Sequence, residues 1–275
     1  TYSVWAVMYA NECYGPKVEK TYTIKPIPAA PQTASFDICY GESNVSVEAT
    51  STGKVNWYAD AQKMTILSSG SLGYLSKESL PGEYTYYASQ VIDGCESNTN
   101  PAVFRIKSLP SVPVITQQKN LCDYEEAPVL YASGEYIKWY DKDKTTVLVE
   151  GDDSYQTTDM TAGTKRYYAS QTVEGCEGEA VMLSYVVYEK PANPTVSGAN
   201  VCEGSDQIPS LSTNMPTDKW YADESAITYL TAGYNYTPDA SEVGNSDKTY
   251  YVQREINGCV SDMMPVLLHV VQKPE

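Results

Sequence analysis

The sequence predicts an all-β chain, built as a tandem array of small domains that each carry their own core. Three observations carry that expectation. One phrase is written three times, as "TYYASQVIDGCES" at 85–97, "RYYASQTVEGCEG" at 166–178 and "TYYVQREINGCVS" at 249–261, with a blurred fourth copy, "SVWAVMYANECYG", at 3–15. Cysteines recur at a fixed period. Helix signals are nearly absent, since no stretch keeps apolar residues at helical spacing for three turns and Gly or Pro interrupts often.

The period comes first, because a missed repeat misreads the whole fold. The cysteines that end the phrase are Cys13, Cys95, Cys176 and Cys259, separated by 82, 81 and 83 residues. A second set, Cys39, Cys122 and Cys202, is separated by 83 and 80. A period near 82 is long for a solenoid repeat and suits a domain with its own core. The expected organisation is a C-terminal remnant at 1–25, then domains at 26–108, 109–190 and 191–275.

Taken in chain order, each unit opens at a proline cluster: "KPIPAAP" (25–31), "SLPSVP" (108–113) and "EKPANP" (189–194). Such connectors are short, extended and stiff. An early cysteine follows in "DICYGES", "NLCDYEE" and "NVCEGSD". A tryptophan stands 17 or 18 residues later, at Trp57, Trp139 and Trp220, each followed by Tyr. The tyrosine-rich phrase reads as one arm of a hairpin. The apolar or alternating runs "PAVFRIKSL" (101–109), "VMLSYVVYE" (181–189) and "PVLLHVVQK" (265–273) read as the other.

Each full unit thus holds one early and one late cysteine, 54 to 57 residues apart, and no CxxC pair suggests a metal knuckle. Pairing within each unit is expected: Cys39–Cys95, Cys122–Cys176 and Cys202–Cys259. Reduced core cysteines are the bland alternative. Against them, the late cysteine always follows Gly or Glu in a turn, where a free thiol repeated in register would be a liability. Paired cysteines imply an oxidising, extracytoplasmic setting. Cys13 is expected to be unpaired by truncation, its partner lying upstream of residue 1 along with any targeting segment.

The Trp-Tyr strand and the Tyr-Tyr strand together resemble an immunoglobulin-like β-sandwich, in which a buried Trp on one strand faces a strand carrying Tyr shortly before a cysteine. Trp57, Trp139 and Trp220 are then core residues. The pattern departs from the family where its sheet-spanning cysteine would stand: Ala88, Ala169 and Val252 occupy that position. The full repeat also resembles the Ig-like repeats of Bacteroidota cell-surface proteins, among them gliding-motility adhesins and other type IX secretion substrates. That resemblance implies a bacterial cell-surface location, attached at the outer membrane, and a stalk or adhesive role. It identifies no ligand.

Little chemistry is legible. The net charge of −16, from 35 acidic and 19 basic residues, argues against nucleic acid as a partner. No run of about 18 apolar residues is present, so no membrane span is expected in this segment. His269 is the lone histidine, which excludes a His-based triad or zinc site in every repeat. No cofactor is expected. Calcium is the one ion the acidic loops could take, best in the second unit at Asp141, Asp143, Asp152 and Asp153, although these and the Asp223–Glu224 pair fit no EF-hand pattern. "NVS" (44–46) and "NYT" (235–237) match the glycosylation acceptor pattern. With 25 Tyr against 2 Phe, the ring that can bury its body and leave its hydroxyl wet is strongly preferred.

The expected function is therefore a non-catalytic stalk segment of a secreted surface adhesin, with neighbouring repeats as its first partners. The alternative is a multivalent binding module for surface polysaccharide or another cell-surface protein. Exposed loops that vary between units, as "QKMTILSSGSLGYLSKES" and its counterparts do, favour the stalk. Domains of roughly 40 Å each, joined at Pro26, Pro110 and Pro191, are expected to form an extended array of about 100 Å or more.

Overall fold

The computed structural model describes residues 1–43 and 45–274. By contact the chain falls into two compact units, one of 1–110 with 173–178 and one of 111–172 with 179–275. Strands and connections dominate both. Among the described residues the single helical element is a 3-10 turn at Ala240–Glu242.

The first unit contains one complete sandwich. Its larger sheet has five strands in the order Phe36–Cys39, Asn100–Lys107, Gly82–Ile92, Lys54–Tyr58 and Ile66–Ser69, with Cys95–Glu96 pairing back on the tyrosine-rich strand Gly82–Ile92. We name these by role: leading strand (Phe36–Cys39), closing strand (Asn100–Lys107), tyrosine strand (Gly82–Ile92) and tryptophan strand (Lys54–Tyr58). The leading strand runs parallel to the closing strand, and the other pairs are antiparallel. A second sheet orders Gly73–Leu75, Ser46–Thr50 and Gln32–Thr33. Strands that alternate inward and outward residues bury one face, and Val47, Val55, Trp57 and Phe104 meet between the sheets. The opening residues form a two-stranded ribbon, Tyr2–Ala6 against Val18–Tyr22, with all its side chains exposed.

The second unit repeats this plan twice. In the second repeat the larger sheet orders Leu121–Cys122, Val181–Tyr188, Gly163–Val173, Ile137–Tyr140 and Val147–Glu150. In the third the order is Ala199–Cys202, Met264–Val271, Lys248–Gln253, Lys219–Tyr221 and Tyr229–Ala232. Each faces a three-stranded sheet and closes its own core, around Leu130, Trp139 and Leu183 in one and Leu211, Trp220 and Leu268 in the other. Trp57, Trp139 and Trp220 are all fully buried. Opposite them in register stand Ala88, Ala169 and Val252, small side chains that leave room for an indole.

Candidate functional site: disulfide joints between repeats

The phrase-ending cysteine stands at the exit of a tight hairpin. Asp93 and Gly94 both have positive φ (53° and 82°), as do Glu174 and Gly175 (48° and 84°) and Asn257 and Gly258 (54° and 82°). Two consecutive positive-φ residues define the type I′ turn, which is why Gly follows a short polar or acidic residue there. The turn sets Cys95 opposite Ile92 and Cys259 opposite Ile256.

The early cysteine stands at the other end of the sheet. Cys39 lies opposite Lys107, Cys122 opposite Tyr188 and Cys202 opposite Val271, each at the far end of the closing strand. The late cysteine lies beyond the near end of that strand, where Ala88 faces Asn100. At about 3.3 Å per residue, an eight-residue strand holds the two apart by more than 20 Å. A disulfide needs Cα atoms roughly 4.4–6.8 Å apart.

The pairing expected within each unit is therefore corrected. The disulfides are Cys39–Cys176 and Cys122–Cys259, with Cα–Cα distances of 5.5 and 5.7 Å. Each joins the leading strand of one repeat to the hairpin of the next, across the same separation of 137 residues. Cys95 and Cys202, expected to be bonded, are free, as is Cys13. The physical reason is the parallel alignment of the leading and closing strands, which carries the early cysteine to the end where the next linker leaves. That is also the end at which the following hairpin arrives.

Polar contacts surround both bonds. In the first joint Lys107 Nζ donates to Glu174 O at 3.0 Å and lies 3.0 Å from Asp37 and 3.7 Å from the Glu174 carboxylate. Arg105 and then Lys107 hold the Asp37 carboxyl below its ordinary range. In the second joint Val260 N donates to Tyr124 Oη at 2.9 Å, and Lys190 Nζ meets Asp262 at 2.5 Å. Lys190 holds the Asp262 carboxyl below its ordinary range, with help from Asn193. A glutamate caps each bonded early cysteine, as Cys39 N donates to Glu42 at 3.1 Å and Cys122 N to Glu125 at 2.7 Å.

The Gln of "SQ" in the first two phrases, and the Arg at its place in the third, tie each hairpin to its linker. Gln90 Nε2 donates to Ala29 O, Gln171 Nε2 to Ser111 O, and Arg254 Nη1 to Ala192 O, at 2.7, 2.7 and 3.1 Å. The lysines and these Gln/Arg positions escaped the sequence reading. Their signal was present, for Lys25, Lys107 and Lys190 recur with the same period as the cysteines.

The acidic loop residues are occupied by turns. Asp143 accepts from Thr145 N and Thr146 N, both at 2.8 Å, and Asp152 accepts from Ser154 N at 2.9 Å. Asp141 accepts from Lys142 N at 2.7 Å, Asp153 is exposed, and Asp223 accepts from Ile227 N and Thr228 N at 3.0 and 2.7 Å. Among the described residues no group of three or more His, Cys, Asp and Glu is arranged to hold a metal. His269 Nδ1 lies 2.8 Å from Asp247 on an exposed face. Asn235 is exposed at a strand start, while Asn44 lies outside the described residues. No helix among the described residues is long and apolar enough to cross a membrane.

Three stretches, 28–106, 110–187 and 191–271, match the family described as "Ig-like domain CHU_C associated". Similar solved structures include titin domains A168–A170 (13% identity, 90% of this chain and 100% of that one, TM-score 0.35) and the ICAM-5 D1–D4 ectodomain fragment (12% identity, 98% and 83%, TM-score 0.38). Sidekick-1 immunoglobulin domains 1–5 match at 15% identity over 90% of this chain and 59% of that one, with a TM-score of 0.26. Among curated proteins no relative matches.

Proposed function

This chain belongs to the CHU_C-associated Ig-like family, of the type found in Bacteroidota surface proteins, and from that premise we propose that it is a non-catalytic stalk segment of a secreted adhesin of the gliding-motility type. In this reading the parent protein leaves by type IX secretion and is held at the outer membrane, and the repeats carry a distal binding part away from the cell. The observation that carries the reading is the pair of staggered disulfides. Each linker between complete repeats lies inside a disulfide-closed loop, so two covalent paths cross each junction. Tension along the chain then reaches the next repeat through a cysteine pair as well as through a proline linker. A binding module has no need of that second path; a stalk under shear does.

The test is adhesion of beads coated with the oxidised chain to whole cells and to immobilised surface polysaccharide. A stalk segment leaves the beads no stickier than uncoated ones. Saturable binding that free protein competes away would contradict the reading.

A further inference from the structure

We infer that the leading-strand end of the third repeat, built from Cys202, Gly204 and Lys273, is a docking site for the Gly-Cys hairpin of a further Ig-like domain of this same type, closed by a disulfide from Cys202. The inference goes beyond the stalk reading and does not depend on it.

Two filled joints define what such a site looks like. In each, the early cysteine begins a turn and stands beside the end of the closing strand. Cys39 O accepts from Glu42 N at 3.1 Å and Cys122 O accepts from Glu125 N at 2.9 Å. The third repeat reproduces the turn, with Cys202 O accepting from Ser205 N at 3.1 Å, and reproduces the register, with Cys202 opposite Val271. It also has the lysine. Lys273 continues the series Lys25, Lys107 and Lys190, and its Nζ stands 3.4 Å from where a Cβ on Gly204 would lie. Cys202 is free and exposed, whereas its bonded counterparts Cys39 and Cys122 are partly buried and buried respectively. The half-joint is thus assembled without its hairpin.

The complementary half is present elsewhere in the chain and identifies the occupant. The first repeat's hairpin bears the free Cys95, and its turn carbonyl, Asp93 O, accepts from Lys25 Nζ at 2.8 Å. That contact matches Lys107 Nζ to Glu174 O in the filled first joint. The first two Gly-Cys hairpins thus seat their turns on the period's lysine whether or not the cysteine is bonded, while at the second joint Lys190 holds the same hairpin through Asp262. The chemistry Cys202 and Lys273 would recognise is a thiol at the exit of a type I′ turn with a carbonyl two residues before it. Closure proceeds by thiol–disulfide exchange. Both thiols lose their protons, a sulfur–sulfur bond forms between them, and an external disulfide such as oxidised glutathione is reduced to two thiols.

The experiment places residues 110–190 directly after Glu275, so that a copy of the second repeat follows the third. The purified chain is oxidised in a glutathione buffer, free thiols are alkylated, and the bonds are mapped without reduction. Cys202 should be joined to the copy of Cys176, with the copy of Cys122 alkylated. Cys202→Ser should leave the copy of Cys176 alkylated. The bonds Cys39–Cys176 and Cys122–Cys259 form in the same molecules and report that oxidation and folding succeeded. A copy that joins its own two cysteines, or an alkylated Cys202 in molecules holding both native bonds, would overturn the inference. A parallel chain carrying residues 191–275 as the added copy guards against one copy failing to fold, and there Cys202 should join the copy of Cys259.

Discussion

Each buried indole illustrates how one atom distinguishes otherwise equivalent positions. Trp57 Nε1 donates to Ser71 O at 3.1 Å and Trp220 Nε1 to Gly233 O at 3.0 Å. Trp139 Nε1 has no hydrogen-bond partner among the described residues. Replacing each with Phe removes similar volume. At Trp57 and Trp220 it also strips a partner from a carbonyl, whereas at Trp139 it removes an unpaired buried donor. Trp57→Phe and Trp220→Phe should therefore each cost about 1 kcal/mol more than Trp139→Phe in chemical denaturation; equal losses would contradict the role given to the indole N–H. The tyrosine preference has the same logic. Tyr84 donates to Leu80 O at 2.8 Å and Tyr58 to Glu96 at 2.7 Å, hydroxyl bonds that Phe could not make. The Trp positions were legible in the sequence because their distance from the early cysteine is nearly constant. The state of each indole N–H was not, since it depends on a loop carbonyl contributed by another strand.

At the scale of elements, the hairpin and its linker form the unit that repeats. The third repeat replaces Gln90 and Gln171 with Arg254, and the larger side chain brings a counter-charge with it. Arg254 Nε and Nη2 meet Asp218 at 2.8 and 3.0 Å, with both side chains buried. Asp218→Ala would leave a buried guanidinium unpaired, a change that costs about 3–5 kcal/mol in comparable sites. Thermal unfolding followed by the third repeat's Trp220 should show that loss, and a variant as stable as the parent would mean that water solvates Arg254. A second ion pair gives a pH signature in the second repeat. The 9%-exposed Lys165 lies 2.7 Å from Asp159, and Lys165 followed by Thr161 brings the Asp159 pKa down to about 2. A depressed carboxyl adds stability that is present above its unfolded pKa near 3.9 and lost as pH falls through about 2. The parent should lose stability over that acid window more steeply than Asp159→Asn, as read by denaturation at each pH; parallel slopes would remove this ion pair from the account.

The hairpin itself was legible, because Gly before the cysteine and a strand on each side are local signals. The leading strand was not. Its pairing with the closing strand joins residues some 68 positions apart in parallel, and such a ladder leaves no local signature. The cysteine count then misled, because adding one period to a spacing near 55 produces another equally regular spacing, 137. Spacing alone does not separate pairing within a repeat from pairing between repeats; the direction of one short strand does.

At the scale of the whole molecule, covalent topology joins each repeat to the next. A disulfide that closes a loop of 137 residues stabilises the fold by about 5 kcal/mol in the chain-entropy model. Two such loops overlap between Cys122 and Cys176, so neither can be opened without the other constraining part of the same segment. The most direct measurement introduces one protease site between Pro110 and Ser111. The oxidised chain is alkylated, denatured and cut, then run on a gel with and without reductant. Residues 1–110 carry Cys39 and residues 111–275 carry Cys176, so the cut chain should stay in one piece until reductant is added. Two separate fragments in the absence of reductant would show that no disulfide crosses this junction, and would contradict this topology.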